Sequence, residues 1–251
     1  MRLALLIEYD GTCFSGWQAQ RGSRTVQGVL EESASRLCSH EVRITGSGRT
    51  DSGVHALGQV AHLDVEEDES GRISTGLPGI LPTDVAILET ARAPEGFHSR
   101  FSAISRAYRY RIIRGKHPLL SRFAFQLPYR DLDTGAMERA ARLCLGRHDW
   151  RGMAREGSSN RTWLVDVRHA SVVEDGEGWI LDIRADRFLR GMVRLWAGAL
   201  VDVGRGRMTP EAVGDILATG DRAAAGPSLP PQGLALTGVE YPWRIFSTDA
   251  I

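Results

Sequence analysis

The chain has 251 residues, 42% of them hydrophobic and 25% charged, with a formal net charge of +0. Those are ordinary globular values, enough chain for one large domain or two modest ones with a real core, and they exclude a disordered polymer. Cys13, Cys38 and Cys144 have no CxxC spacing, so the sequence predicts neither a disulfide framework nor a metal site, and a reduced, cytoplasmic compartment fits.

The N-terminal MRLALLIEYDG is too short for a signal peptide and reads as a first strand, Leu3–Tyr9; no stretch approaches the length of a membrane span. Period-two apolar patterns predict further strands at Val42–Thr45, Gly58–Val65 and Val85–Thr90. TVQGVLEESASRLC, with Val26, Leu30 and Leu37 on one face, predicts a helix between the first two strands, and Ile73–Leu81 is a weaker, Pro/Gly-rich element. The second half repeats this order. Ser105–Arg114 alternates as a strand, Thr134–Leu145 is a helix, and Trp163–Val173 and Trp179–Arg184 are strands. Helices at Phe188–Val203 and Pro210–Thr219 and a strand at Leu234–Tyr241 complete it. Two β-α-β-β-α-β units predict an α+β protein of two ferredoxin-like halves, residues 1–100 and 101–251, with mainly antiparallel sheets meeting at a central cleft. Arg151–Asn160 is polar and reads as a mobile loop.

Charge is unevenly placed. Every basic residue except Lys116 is arginine, and from Gly96 to Arg130 there is no Asp or Glu, while Arg100, Arg106, Arg109, Arg111, Arg114, Arg122 and Arg130 fall there. Guanidinium groups grip phosphate bidentately, so this stretch is a candidate face for a polyanion, with chance clustering as the alternative.

The run GSGRTDSGVHALGQVAH (46–62) carries Asp51 in a glycine-studded turn, two residues after Arg49. It lacks the lysine of a phosphate loop and the glycine spacing of a dinucleotide fingerprint. Local spacing leaves Asp51 open between a turn-former bonding its own backbone and a carboxylate placed for chemistry. Asp51-Ser52-Gly53 and Asp133-Thr134-Gly135 also resemble the paired triplets of an aspartic protease. Asp133 reads better as a helix cap, and the helices do not suit an all-β protease. His55, His62 and Asp64 lack metal-ligand spacing, and His148-Asp149 is a lone pair. A nucleophilic carboxylate needs a cation beside it to stay ionised in a dry cleft. Arg49 is one candidate, and Arg194, on an apolar helical stretch with Phe188, Met192, Leu195 and Trp196, is another.

GRTDSGVHALGQVAH, FHSRFSAISRAYRY, CLGRHDW, FLRGMVRLWAGAL and PPQGLAL, in order after IEYDGTCFSGWQAQ and TVQGVLE, closely resemble the tRNA pseudouridine synthase A (TruA) family over nearly the whole chain. The resemblance implies the pseudouridine-synthase fold with an RNA-binding cleft. It also implies a cofactor-free, metal-free isomerase that converts uridine to pseudouridine at positions 38–40 of the tRNA anticodon stem-loop. Asp51 matches the family's catalytic aspartate, attacking ribose C1′ or uracil C6 or assisting a glycal route. Tyr108 matches the tyrosine that stacks on the uracil, and Arg194 the arginine that pairs with the catalytic carboxylate. Arg49 matches an arginine that helps extrude the base, and Leu234 the apolar wall of the pocket. The acid-free stretch, through Arg106, Arg109, Arg111 and Arg114, would contact tRNA phosphates. The family implies a homodimer.

The chain departs from the family after His148-Asp149, where WRGMAREGSSNRT replaces a phenylalanine-rich segment and a longer loop. It departs again at GLPGILPTDV, and at Ala107, where a second basic residue is usual. The alternatives to the isomerase are a tRNA-binding protein without activity and an aspartic protease using Asp51 and Asp133.

Overall fold

The computed structural model describes residues 1–128, 131–155 and 162–247. They form two compact units: Met1–Ile104 together with the C-terminal residues from Ala235, and Ser105–Leu234. The division drawn from the sequence, at residue 100, keeps the last strand in the second half; the contacts group it from Ala235 onward with the first.

In the first unit, strand β1 (Arg2–Tyr9) is buried on both faces, the pattern of an inner strand covered on both sides. Helix α1 (Val26–Cys38) starts where the Thr25 hydroxyl accepts from the Gly28 amide, and its Val26, Leu30 and Ala34 form the buried stripe. It ends at Ser39, whose left-handed backbone (φ 61°) turns the chain. Strands β2 (Ile44–Gly46) and β3 (His55–Asp64) follow, then helix α2 (Ser70–Ile80) and strand β4 (Val85–Arg92). The Pro/Gly-rich segment is thus a full helix from Ser70. Ile73 and Leu77 bury on one face, a reciprocal Glu66–Glu69 capping box precedes it, and Pro78 sits only in its last turn. β1 lies between β3 and β4, antiparallel to both, and β2 pairs antiparallel with β3.

The second unit opens with β5 (Ser105–Arg114), bounded as its alternation predicts, with Tyr108, Tyr110 and Ile112 buried on one face. Short strand β6 (Phe125–Leu127) runs parallel to it. Helix α3 (Thr134–Arg142) is capped by Asp133, whose Oδ1 accepts from the Ala136 amide at 2.8 Å. Strands β7 (Gly146–Asp149), β8 (Leu164–Glu174) and β9 (Gly178–Ala185) extend the sheet antiparallel in the order β5-β9-β8-β7. Helix α4 (Met192–Gly204) is apolar nearly all round and buried, and α5 (Pro210–Thr219) begins at a Thr209 cap with proline in its first turn. The last strand, β10 (Leu234–Glu240), runs parallel to β3 from Ala235 on.

The sequence reading misplaces several boundaries, with β3 starting at His55 rather than Gly58 and α3 ending at Arg142 rather than Leu145, and it misses two strands. Helix α4 begins at Met192, not Phe188, because Gly191 is left-handed (φ 71°), so Phe188 lies in the loop before it. β6 and β7 are too short to show a period. Of the loop read over Arg151–Asn160, Arg151–Met153 form a 3-10 turn, and residues 156–160 lie outside the described residues, as does Arg130.

The first unit closes over a cluster of Ala4, Leu6, Val60 and Phe97, with Tyr241 packed on Phe97 at 5.1 Å between ring centres. His62 on β3 borders it. The Ser99 amide donates to His62 Nδ1 (3.2 Å), and Ser99 Oγ, 2.8 Å from the same nitrogen, donates to the Thr45 carbonyl. Burial, with Arg2 and His98 nearby, pulls the His62 pKa from 6.5 down to about 4. The folded state therefore binds this proton less readily than the unfolded chain. The stability due to neutral His62 is complete above the unfolded value of 6.5 and is lost as pH falls toward 4. Denaturant unfolding at pH 7, 6 and 5 should show a steeper loss in the wild type than in His62→Gln. The limiting difference is about 3 kcal/mol, the span of that pKa shift. Parallel curves would remove His62 from the acid sensitivity.

Candidate active site

Asp51 sits on the loop between β2 and β3, and backbone contacts with the segment after β1 hold that loop. The Trp17 amide donates to the Thr50 carbonyl (3.1 Å), and the Gly53 amide (3.3 Å) and Ser52 hydroxyl (3.2 Å) both donate to the Phe14 carbonyl. The Val54 amide closes the turn on the Asp51 carbonyl at 3.1 Å, with Gly53 left-handed at φ 75°. On the inner side, buried Thr50 shares a 2.8 Å hydrogen bond with the Tyr9 hydroxyl, and Ser47 donates to buried Gln59 at 2.6 Å. Gln59 in turn donates to the Gly48 carbonyl at 3.1 Å. Burial pushes the Tyr9 phenol up to about 12, so it stays a neutral hydrogen-bonding group.

Every one of those bonds uses the backbone or a neighbour of Asp51. Its own carboxylate is half-buried, and among the described residues of its unit none hydrogen-bonds or ion-pairs with it. The turn stands without the aspartate side chain, which removes the turn-forming reason for a carboxylate at this position.

Arg49 is exposed but anchored. Its Nε donates to Gln18 Oε1 at 2.9 Å, and the Gln18 amide donates to Gln27 Oε1 at 2.7 Å. Gln27 on α1 then donates to Glu31 Oε1 and to the Ile44 carbonyl, both at 2.9 Å. This relay runs from the loop through α1 to β2. It fixes one edge of the guanidinium and leaves the terminal nitrogens without a partner among the unit's described residues.

In the second unit, Tyr108 on β5 is buried and meets Phe188 edge-on, with ring centres 4.9 Å apart. Arg194, on the first turn of α4, donates through Nε to the Leu229 carbonyl at 2.7 Å, while the Leu229 amide donates back to the Arg194 carbonyl at 3.0 Å. Among that unit's described residues no carboxylate pairs with Arg194. A side chain fixed at Nε, with no partner for its terminal nitrogens among the described residues of its unit, is suited to bind an oxyanion bidentately. Leu234, at the start of β10, is buried.

Three arginines of the acid-free stretch, all on β5, pair with acids across strands. Arg109 pairs bidentately with Asp182 on β9 (2.8 and 3.0 Å), and Arg111 pairs with Glu177 at 2.5 Å. Arg114 pairs with Glu174 and lies over the Trp179 ring. Arg106 donates to the Asp186 carbonyl at 2.9 Å. The acids missing from this stretch of sequence are supplied by the β8–β9 hairpin. Sequence reading passed over Arg184 on β9 and Arg187 and Arg190 in the loop before α4, which have no carboxylate partner among the described residues. Their signal was the run RADRFLRG (184–191), three arginines around Phe188.

Other candidates are engaged elsewhere. Asp133 is occupied as the α3 cap, which answers the protease alternative on that residue. Asp64 is held by Arg2, His62 by Ser99, and His55 Nδ1 by the Gly11 amide at 3.0 Å. His148 bonds the Leu145 carbonyl, and Asp149 pairs with Arg151.

Gly16 is where the Asp51 loop is closest to its support. Its φ is +92°, and a Cβ there would lie 2.6 Å from the Thr50 carbonyl oxygen. Gly16→Ala should cost about 1–3 kcal/mol, from crowding and left-handed strain together. Gly22→Ala, also at positive φ but with nothing within 4 Å, should cost visibly less in the same denaturation experiment. Equal costs would show that the close approach contributes nothing.

A family profile described as tRNA pseudouridine synthase matches residues 5–102 and 140–242. Proteins named tRNA pseudouridine synthase A are similar over almost the full length. The one from Syntrophotalea carbinolica is 42% identical over 94% of this chain and 95% of the relative. The one from Solidesulfovibrio magneticus is 45% identical over 96% and 91%, and the one from Methylococcus capsulatus 43% identical over 96% and 90%. Among solved structures, a dye-decolorizing protein from V. cholerae aligns at a TM-score of 0.19 and 10% identity, too slight a likeness to bear on the fold. With the profile covering most of the chain and these relatives covering nearly all of it, the chain belongs to the tRNA pseudouridine synthase family, isomerases that act on uridine in tRNA.

Proposed function

We propose that this isomerase converts uridine to pseudouridine at positions 38–40 of the tRNA anticodon stem-loop, with Asp51 as the nucleophile. The observation that carries the assignment is the Asp51 carboxylate: half-buried, on a loop that the backbone holds without it, and without a partner among the described residues of its own unit. A carboxylate so presented can form a covalent bond to C1′ or C6 of the bound nucleotide. The glycosidic N1–C1′ bond breaks, the uracil turns, a C5–C1′ bond forms, the bond between Asp51 and the nucleotide breaks to return the free carboxylate, and the C5 proton leaves as N1 gains one. One C–N bond is exchanged for one C–C bond with no change in oxidation state, so the reaction needs no redox cofactor.

Chemistry on a base requires it to leave the stack, at a cost of a few kcal/mol that aromatic stacking offsets. Tyr108, braced edge-on by Phe188, is the stacking ring, and Leu234 supplies apolar wall. Arg49 holds the vacated position in the stem-loop, and Arg194 offers its open nitrogens to an oxyanion. Phosphate contact falls chiefly to Arg184, Arg187 and Arg190, because Arg109, Arg111 and Arg114 already hold carboxylates. The enzyme acts as a homodimer in the cytoplasm, where a second copy extends the surface available to a long tRNA.

Tritium release from tRNA carrying 5-tritiated uridine tests the chemistry. Asp51→Asn should lower release roughly a thousandfold or more, as loss of a nucleophile does. Asp133→Asn should stay within about twofold, since asparagine caps a helix as well as aspartate. No release by the wild type at saturating tRNA would leave only the inactive tRNA-binding reading. The affinity for tRNA should fall steeply with salt. Arg187→Ala should reduce the log–log slope by about one, and Arg109→Ala should leave it nearly unchanged. The reverse pattern would return the phosphate contacts to β5.

A further inference from the structure

Cys38, His40 and Glu69 meet where α1 ends and α2 begins, in elements that do not carry Asp51. Their spacing in sequence gives no metal motif. The fold brings Cys38 Sγ, a His40 ring nitrogen and a Glu69 carboxylate oxygen within 4.8 Å of one another. The left-handed Ser39 places His40 beyond the end of the helix, and the Glu66–Glu69 capping box fixes Glu69: its Oε2 accepts from the Glu66 amide at 2.9 Å.

The two neighbours of the imidazole make the cluster informative. His40 Nδ1 lies 3.2 Å from the Glu41 carbonyl oxygen, which only accepts, so this contact favours the tautomer with its hydrogen on Nδ1. Nε2 then faces Glu69 Oε1 at 2.9 Å. In a neutral imidazole these are two lone pairs pointing at each other, which is repulsive unless a cation stands between them. A proton can be that cation; so can a metal ion. The buried Cys38 thiol, whose sulfur lies within 4.8 Å of the same carboxylate, adds a soft third donor.

We propose that Cys38, His40 and Glu69 form a site for a thiophilic divalent ion of the zinc class, with a fourth position open to water. A sulfur, nitrogen and oxygen set suits such an ion and disfavours magnesium or calcium. Tetrahedral zinc with bonds near 2.1 Å sets nitrogen and oxygen donors roughly 3.3 Å apart, so the His40–Glu69 gap opens by less than about half an ångström. His40 is exposed and free to move that far. Binding releases the Cys38 thiol proton, and also the imidazolium proton where His40 carries one. Arg72 is the competing cation: its guanidinium lies 3.9 Å from Glu69 Oε1 and 3.6 Å from Asp68. It is half exposed and can swing aside. The ion would tie the end of α1 to the first turn of α2, stabilising the first unit by mass action.

The test uses the full chain carrying Cys13→Ser, which removes the exposed thiol. Co2+ titration reports thiolate ligation by charge-transfer absorption, and Zn2+ affinity is measured against a chromophoric chelator. One ion per chain, with an absorption band that Cys38→Ser abolishes, is the expected result. His40→Ala should weaken Zn2+ binding at least tenfold, and Arg72→Ala should tighten it several-fold. His40→Ala changes only an exposed side chain, so its effect does not depend on the stability of Cys38→Ser. Absence of a cobalt–thiolate band, or Zn2+ affinity unchanged in both Cys38→Ser and His40→Ala, would leave the cluster a His–carboxylate ion pair and overturn the assignment.

Discussion

The close seating of one backbone segment on another governs the candidate active site. Residues 14–17, after β1, give and take the hydrogen bonds of residues 50–53, before β3. Gly16 is tolerated there because a side chain at its Cβ would strike the Thr50 carbonyl, and Gly11 faces Val54 in the same way. Main-chain bonds are short, directional and without rotamer freedom, so a loop held by them keeps one shape. The practical consequence is that Asp51 contributes nothing to its own turn. Its charge is left over for another purpose.

The arginines follow a different logic. A run of sequence without acids suggests a polyanion face, yet the fold sets Asp182, Glu177 and Glu174 beside Arg109, Arg111 and Arg114. The paired residues are far apart in the chain, 73 positions in the case of Arg109 and Asp182. Strand pairing makes them neighbours, because β5 and β9 run antiparallel with those two residues in register. Half-exposed pairs of this kind contribute modestly to stability. Each pair also occupies a guanidinium of β5 with a carboxylate from the β8–β9 hairpin.

Much of the fold was legible. β5 and α5 have the boundaries read for them from the sequence, and α1 falls within the stretch read as a helix. The misses have physical causes. Gly191 looks like one more residue of an apolar helix, but its left-handed backbone starts α4 after it and frees Phe188 to brace Tyr108. β6 and β7 exist because neighbouring strands supply hydrogen bonds, not because their few residues prefer extension. Pro78 and the glycines of α2 argue against a helix locally, and the burial of Ile73 and Leu77 outweighs them.

By itself the sequence determined the alternation of strands and helices, the loop that carries Asp51 and the ordered motifs that mark the family, because local periodicity and residue identity are written directly along the chain. Tertiary structure decided what each polar group is left to do. It showed that the Asp51 turn closes without its carboxylate, and that the arginines of β5 have cross-strand acids. It also brought Cys38, His40 and Glu69 into one cluster that no spacing rule would gather. Those outcomes depend on which distant groups meet, and only packing and strand register set that.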